Sequence, residues 1–368
     1  MTMLNRMAYK RICTYTVRGL MAALLGMCSL AMADSNAHNE HNARNASEPE
    51  HDADGNTKQK IQHRLSPEIY MQNPFSSQSA AQLAKAPAAG SIAAASSPIT
   101  YHGGPVMGNL SKIVVIWYGN WNQTNGTDTP AGQQIIRDAI WGMSQQNLTN
   151  NYSGITTGFS SNLGLYTQTG VTFVTQASSP VITEFKQAAS SKYGNKSMSD
   201  ANVFALVKAF AGVGDANAIY LVLSSSDIAE RSGFLTKYCG WHSYGTIGAN
   251  KVKYGFIGNP NKSLSACAVQ TISPNGNAAV DGMVSIIAHE LVETVTDPLL
   301  NAWYNATGSE NSDMCSWTFG SQVQRAANGA YWNVTLPTST GGSRNYLLQR
   351  QLSAKDSKCY INATGPVQ

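Results

Sequence analysis

Apolar runs and helical repeats alternate along residues 99–368. Continuous runs rich in β-branched residues predict buried strands at Lys112–Tyr118 and Ala218–Leu223. Weaker strand patterns occupy Val171–Thr175, Lys251–Ile257, Tyr331–Leu336 and Arg344–Leu348. Apolar residues at helical spacing predict helices over Pro130–Gln146, Ser199–Ala211 and Ala279–Thr296. Because strands and helices alternate, we expect a single α/β domain with a mixed central sheet flanked by helices.

The N-terminus has the pattern of an export signal. Residues 1–18 are basic, and the 15 residues Gly19–Ala33 are almost wholly apolar and end in Ala31-Met32-Ala33. We therefore expect a secretory signal peptide over residues 1–33. The apolar run is shorter than the roughly 20 residues that a membrane-spanning helix needs. The mature protein is expected to be secreted, or periplasmic in a Gram-negative bacterium, and free of the membrane.

The charge distribution excludes a nucleic-acid partner. The chain has 25 basic and 21 acidic residues, a formal net charge of +4, and the four excess cations all precede residue 34. The remainder is neutral, so the folded part carries no net basic charge of the kind that nucleic acids attract. We expect a monomer whose ligand, if it has one, is a peptide or a cell-wall polysaccharide.

Residues 34–98 differ in composition from the rest. They are rich in His, Ala, Ser, Asn and Gln, and their apolar residues are too few or too small to form a core. This segment is predicted to be a disordered linker, and residues 99–368 the folded domain. The linker holds four of the seven histidines, for which weak adventitious metal binding is the expectation.

Four cysteines follow the signal: Cys239, Cys267, Cys315 and Cys359. An even number in an exported chain predicts two disulfides. Three pairings are open, and we favour Cys239–Cys267 with Cys315–Cys359 because each closes a neighbouring stretch. The second bond would hold the C-terminal part together.

The predicted helix at 279–296 carries the densest chemical motif. Asp281 is expected to cap its start, and Pro298 to end it at Asp297. Four residues, Val284, Ile287, Leu291 and Val295, form an apolar stripe that would face the core. His289 and Glu293 lie one turn apart on the opposite flank.

His289-Glu290-x-x-Glu293 resembles the zinc helix of zincin peptidases, with Glu in place of the second His. His289 and Glu293 would bind zinc, and Glu290 would act as general base. We take Asp313 as the third ligand. Additional candidates are Glu310, Asp297 and His242, with His102 a lesser one. The alternative is that the motif is a solvated or hydrogen-bonded polar helix face without a metal.

Several segments resemble the EXORDIUM / phosphate-induced protein family. They include Tyr101-His102-Gly103-Gly104-Pro105-Val106, Ile116-Trp117-Tyr118-Gly119-Asn120-Trp121, Cys239-Gly240-Trp241-His242-Ser243 and Glu310-x-x-Asp313-x-Cys315. The resemblance spans about residues 99–362. It implies an exported protein of the kind that plants place in the cell wall in connection with growth, and it implies no established catalytic activity.

Two hypotheses follow. The first is a secreted zinc-dependent hydrolase acting on peptide bonds. The second is a non-catalytic extracellular binding or growth-signalling protein with a vestigial acidic cluster. A serine hydrolase is excluded because the chain has no Gly-x-Ser-x-Gly motif.

Overall fold

The computed structural model describes residues 63–64, 99–107, 110–144, 181–189, 192–320, 323–354 and 357–361. The predicted signal peptide, most of the predicted linker and the strand predicted at Val171–Thr175 lie outside these residues. Within them, no helix is long and apolar enough to cross a membrane.

Four α-helices lie in the described residues: α1 (Pro130–Ser144), α2 (Asp200–Ala211), α3 (Leu264–Cys267) and α4 (Ala278–Thr296). Two 3-10 turns cover Pro260–Lys262 and Asp313–Cys315. The three predicted helices are therefore confirmed, apart from shifts at their ends. Ser199 caps α2 by accepting a hydrogen bond from the Asn202 backbone N–H.

The first nine strands are β1 (His63–Arg64), β2 (Thr100–Tyr101), β3 (Lys112–Tyr118), β4 (Ile182–Gln187), β5 (Ser197–Met198), β6 (Ala218–Ser224), β7 (Ala229–Glu230), β8 (Gly240–Ile247) and β9 (Asn250–Gly258). The C-terminal part adds β10 (Trp303–Tyr304), β11 (Gln324–Arg325), β12 (Tyr331–Trp332), β13 (Val334–Pro337), β14 (Ser343–Tyr346), β15 (Gln351–Leu352) and β16 (Cys359–Tyr360). These later strands form small two-stranded pairs.

A six-stranded sheet, in the order β1-β8-β9-β6-β3-β4, forms the centre of the fold. Strands β4, β3, β6 and β9 run parallel, whereas β8 is antiparallel to β9 and β1 is antiparallel to β8. The predicted mixed sheet is thus confirmed. β6 is buried along its whole length and β3 along nearly all of it, because layers cover both faces of the sheet.

Strand β8 lies between two helices, and its glycines allow their close approach. A Cβ on Gly240 would lie 2.5 Å from Cγ2 of Ile286 on α4. A Cβ on Gly245 would collide with the Phe204 ring of α2. Residues 240 and 245 point to opposite faces of a strand, so α4 and α2 cover opposite faces of the sheet.

Helix α4 is buried on all sides, from Ala279 to Thr296. The predicted apolar stripe is buried as expected, whereas the alternative of a solvated opposite flank is wrong, because the sheet covers one side of the helix and the C-terminal part covers the other. The predicted Asp281 cap is also wrong: Asn277 is the N-cap and accepts a hydrogen bond from the Val280 N–H. The helix ends before Asp297, as Pro298 predicts.

Both predicted disulfides are confirmed. Cys239–Cys267 joins the residue before β8 to the end of α3. Cys315–Cys359 joins the 3-10 turn Asp313–Cys315 to β16. The second bond anchors the turn that carries the predicted third metal ligand.

Candidate metal centre

His289 and Glu293 occupy successive turns of α4 and face each other. The His289 Nε2 atom lies 3.1 Å from Glu293 Oε1, and both side chains are buried. Helical spacing alone accounts for this pairing, since residues four apart stack on one face.

Asp313 completes a cluster with these two residues. Its Oδ1 lies 3.4 Å from His289 Nε2, and its backbone N–H donates to Glu293 Oε1 at 2.9 Å. Ser312 Oγ donates to the carbonyl of His289, so the turn is bonded to the helix at two points. The candidate ligand atoms of His289, Glu293 and Asp313 all lie within 4.8 Å of one another.

A second cluster shares Glu293. His242 on β8 places Nε2 at 2.8 Å from Glu310 Oε2 and at 3.8 Å from Glu293 Oε2. His242, Glu293 and Glu310 also have ligand atoms within 4.8 Å of one another. His242 and Glu310, which the sequence offered as additional candidates, therefore lie at the centre. The sequence did not indicate that these two residues form a group with Glu293.

Two other candidates lie apart from the ligand clusters. Asp297 Oδ1 accepts the backbone N–H groups of Asn301 and Ala302 at 2.6 and 2.7 Å, so it orders the turn after α4. His102 is exposed and stacks on Tyr304 with ring centroids 3.6 Å apart.

Glu290 is fully buried, and neither of its carboxylate oxygens has a hydrogen-bond partner among the described residues. A Cβ on Gly240 would lie 3.0 Å from Glu290 Oε1, so this carboxyl group lies against β8. Burial raises the pKa of Glu290 well above its usual value. Such a group either stays protonated or requires a nearby cation.

His289, like Glu290, is a buried polar side chain with few hydrogen bonds. Neither ring nitrogen makes a hydrogen bond of good geometry among the described residues, although two carboxylates approach Nε2. Burial alone would lower the pKa of His289, but Glu293 and Asp313 outweigh it and raise the pKa well above the usual value. Burial lowers the pKa of His242, despite the nearby Glu293.

The distances fit a tetrahedral cation. Zinc binds His nitrogen and carboxylate oxygen at about 2.0 to 2.2 Å, so two tetrahedral ligands lie roughly 3.4 Å apart. The separations at His289 Nε2 are 3.1 and 3.4 Å. A nitrogen and oxygen donor set of this kind suits zinc and other first-row divalent metals.

The centre is closed. His242, His289, Glu290, Glu293 and Glu310 are at most 1% exposed, and the Asp313 side chain is 18% exposed. A surface groove bordered by Lys251, Lys253 and Pro298 includes none of the cluster residues.

Fold and site together define a disulfide-linked α/β protein with a buried histidine–carboxylate centre. The chain belongs to the phosphate-induced protein family, since the family model for the phosphate-induced protein 1 conserved region matches residues 99–361. The predicted membership is thereby confirmed.

Plant proteins are among the relatives. Protein EXORDIUM-like 3 of Arabidopsis thaliana is 28% identical over 303 residues, which cover 73% of this chain and 83% of the relative. Protein PHOSPHATE-INDUCED 1 of Nicotiana tabacum is 24% identical over 289 residues, with coverage of 71% and 87%. No solved structure matches the chain.

Proposed function

We propose that this protein is an extracellular zinc-dependent hydrolase of the zincin type, acting on peptide bonds. The observation that carries the proposal is at His289. Its buried Nε2 makes no well-formed hydrogen bond among the described residues, yet oxygens of Glu293 and Asp313 lie 3.1 and 3.4 Å away. This is the arrangement expected of ligands that converge on one cation.

The fold supports the same proposal by analogy. In zincins a buried strand and a shorter strand precede the metal-binding helix. Here β6 is buried along its length, β9 runs parallel beside it, and α4 comes later in the chain and packs beside β8 and β9. Shared architecture does not by itself establish a shared reaction, so the residues must carry the case.

Glu290 has the properties of the proposed general base. It directly follows His289 and its carboxylate has no hydrogen-bond partner among the described residues. A bound divalent cation acidifies a coordinated water. The carboxylate of Glu290 would accept the proton of that water and deliver it to the leaving amine.

Export is part of the proposal. The predicted signal sequence and the two disulfides suit an oxidising space outside the cytoplasm. Carbohydrates would need exposed aromatic rings to stack on. Four of the aromatic residues in the family-like segments are buried core residues, and Trp303 is half-buried; the four are Trp117, Tyr118, Trp121 and Trp241. A peptide is therefore the preferred ligand, and a cell-wall polysaccharide the second choice.

Three variants test the function. Purified mature protein is expected to contain zinc by elemental analysis and to cleave labelled casein. His289→Ala should lose both zinc and activity, whereas Glu290→Gln should keep the zinc and lose the activity. Glu184→Gln, on β4 far along the sheet from β8, is the matched control and should lose neither. A metal-free wild type would refute the proposal.

The closed site favours a second candidate function, a non-catalytic extracellular protein with a structural metal ion. Structural zinc sites are closed, whereas catalytic sites keep an open coordination position. In that case the wild type would contain zinc and cleave nothing, and Glu290→Gln would change neither metal content nor activity. Removal of the zinc by a chelator would then lower the melting temperature as its main effect.

A further inference from the structure

We propose that the centre holds two divalent cations, with Glu293 as the bridging ligand. The inference rests on the proposed first position at His289, Glu293 and Asp313. The second cation would be bound by His242 and Glu310, together with the other oxygen of Glu293.

The two oxygens of Glu293 face different groups. Oε1 lies 3.1 Å from His289 Nε2, and Oε2 lies 3.8 Å from His242 Nε2. A carboxylate with one oxygen directed to each of two imidazoles can bridge two metal ions. Two-metal centres in proteins have the ions about 3.5 to 4 Å apart. Glu293 is thus placed between two ligand sets, and neither set uses both of its oxygens.

Different parts of the chain fix the second ligand set. His242 belongs to β8 and is paired with Gly255 of β9, so the sheet sets its position. The backbone N–H of Glu310 donates to Asp313 Oδ2 at 3.2 Å, which fixes the Asp313 carboxylate to the backbone at Glu310. The disulfide at Cys315 holds this turn to β16. Rigid supports of this kind are what a preorganised metal site requires.

Charge balance favours two cations over one. Four acidic residues, Glu290, Glu293, Glu310 and Asp313, lie at or next to the two histidines, and all but Asp313 are at most 1% exposed. One divalent cation would compensate only two of these charges. Buried charges without a counter-charge are strongly disfavoured. A second divalent cation would balance the four carboxylates.

The test counts zinc ions in the full mature chain after loading with excess zinc and desalting. Two zinc ions per chain are expected in the wild type and one in His242→Ala. Glu310→Gln keeps the side-chain shape and should also retain one ion. If His242→Ala fails to fold, as judged by circular dichroism, Glu310→Gln decides the question. The exposed His102→Ala is the matched control and should keep two, and every variant retains the linker histidines.

The outcomes separate the two proposals. One ion in the wild type and one in His242→Ala would overturn the second position but leave the first intact, with His242 and Glu310 reduced to a hydrogen-bonded supporting pair. Two ions in both proteins would overturn the assignment to His242. No ion in the wild type would refute the proposed function as well. Loading with Mn²⁺ gives an independent readout, because a bridged pair is expected to show spin coupling by electron paramagnetic resonance that His242→Ala abolishes.

Discussion

Asp281 allows a quantitative prediction, because it is a buried carboxyl group in the first part of α4. It accepts hydrogen bonds from Ser273 Oγ and, at 2.8 Å, from Asn275 Nδ2. Burial nevertheless dominates and raises its pKa from 3.8 to about 6. The folded protein therefore binds a proton at this position more readily than the unfolded chain does.

The sign of the pH dependence follows from linkage. Between pH 4 and pH 6 the folded state holds more protons at Asp281 than the unfolded state, so stability falls as the pH rises through this window. The difference between 3.8 and about 6, at about 1.4 kcal/mol per pH unit, corresponds to about 3 kcal/mol. The full contribution is present only well below pH 3.8, and it is lost as the pH rises through 6.

Asp281→Asn removes this titration. Free energies of unfolding in urea, measured at pH 4, 5, 6 and 7 with the disulfides intact, give the test. The difference in stability, wild type minus variant, should fall by about 2 kcal/mol from pH 4 to pH 7, since part of the full effect lies below pH 4. His289 lies eight residues further along the helix, about 12 Å away, so any effect of metal loss at low pH should largely cancel between the two proteins.

Only the change of this stability difference with pH tests the reasoning. Asn places a donor where the carboxylate accepts two hydrogen bonds, so the substitution will also change the stability by a similar amount at every pH. Parallel pH profiles for the two proteins would refute the reasoning. They would mean that the two hydrogen bonds from Ser273 and Asn275 fully compensate the burial of the charge.

Three further predictions concern the centre and its supports. Replacing Cys315 and Cys359 by Ser opens a loop with a sequence separation of 44 residues, so stability should fall by up to about 4 kcal/mol in denaturant unfolding, and zinc content should fall with it. Gly240→Ala forces a Cβ against Ile286 and Glu290, and the melting curve should show a loss of about 1 to 3 kcal/mol, unless the helix can shift away from β8. In protein from which a chelator has removed the metal, Glu290→Gln should raise stability above pH 7, because it removes a buried group whose ionised form is costly without a cation; an unchanged or lower stability would show that other groups of the protein compensate the carboxylate.

The strongest sequence patterns predicted the scaffold well. The strands β3 and β6 and the helices α1 and α4 were predicted correctly. Each of them has a hydrophobic pattern that runs without interruption through its own sequence. Strand β8 was not predicted, since its sequence Gly-Trp-His-Ser-Tyr-Gly-Thr-Ile alternates poorly and contains two glycines. Glycine is needed at these two positions because the helices on either side approach β8 closely. The sequence of β8 alone does not reveal this contact.

The candidate site was predictable only in part. The pair His289 and Glu293 follows from helical spacing, and Asp313 was correctly placed near it. The sequence could not show that the polar flank of α4 is buried, because the residues that cover it come from a loop 20 residues further along the chain. The group of His242 with Glu310 depends on a contact across 68 residues, for which no sequence periodicity exists.

The link from Cys315 to Cys359 has a consequence for the order in which the buried centre can be assembled. Asp313 and Glu310 belong to a turn that is fastened to β16, among the last residues that the structure describes. The centre therefore cannot be completed on a partly synthesised chain, nor can it be held firmly in a compartment that keeps thiols reduced. The histidine–carboxylate centre is therefore expected to take its final form only after the whole chain has been made and Cys315 has been oxidised with Cys359.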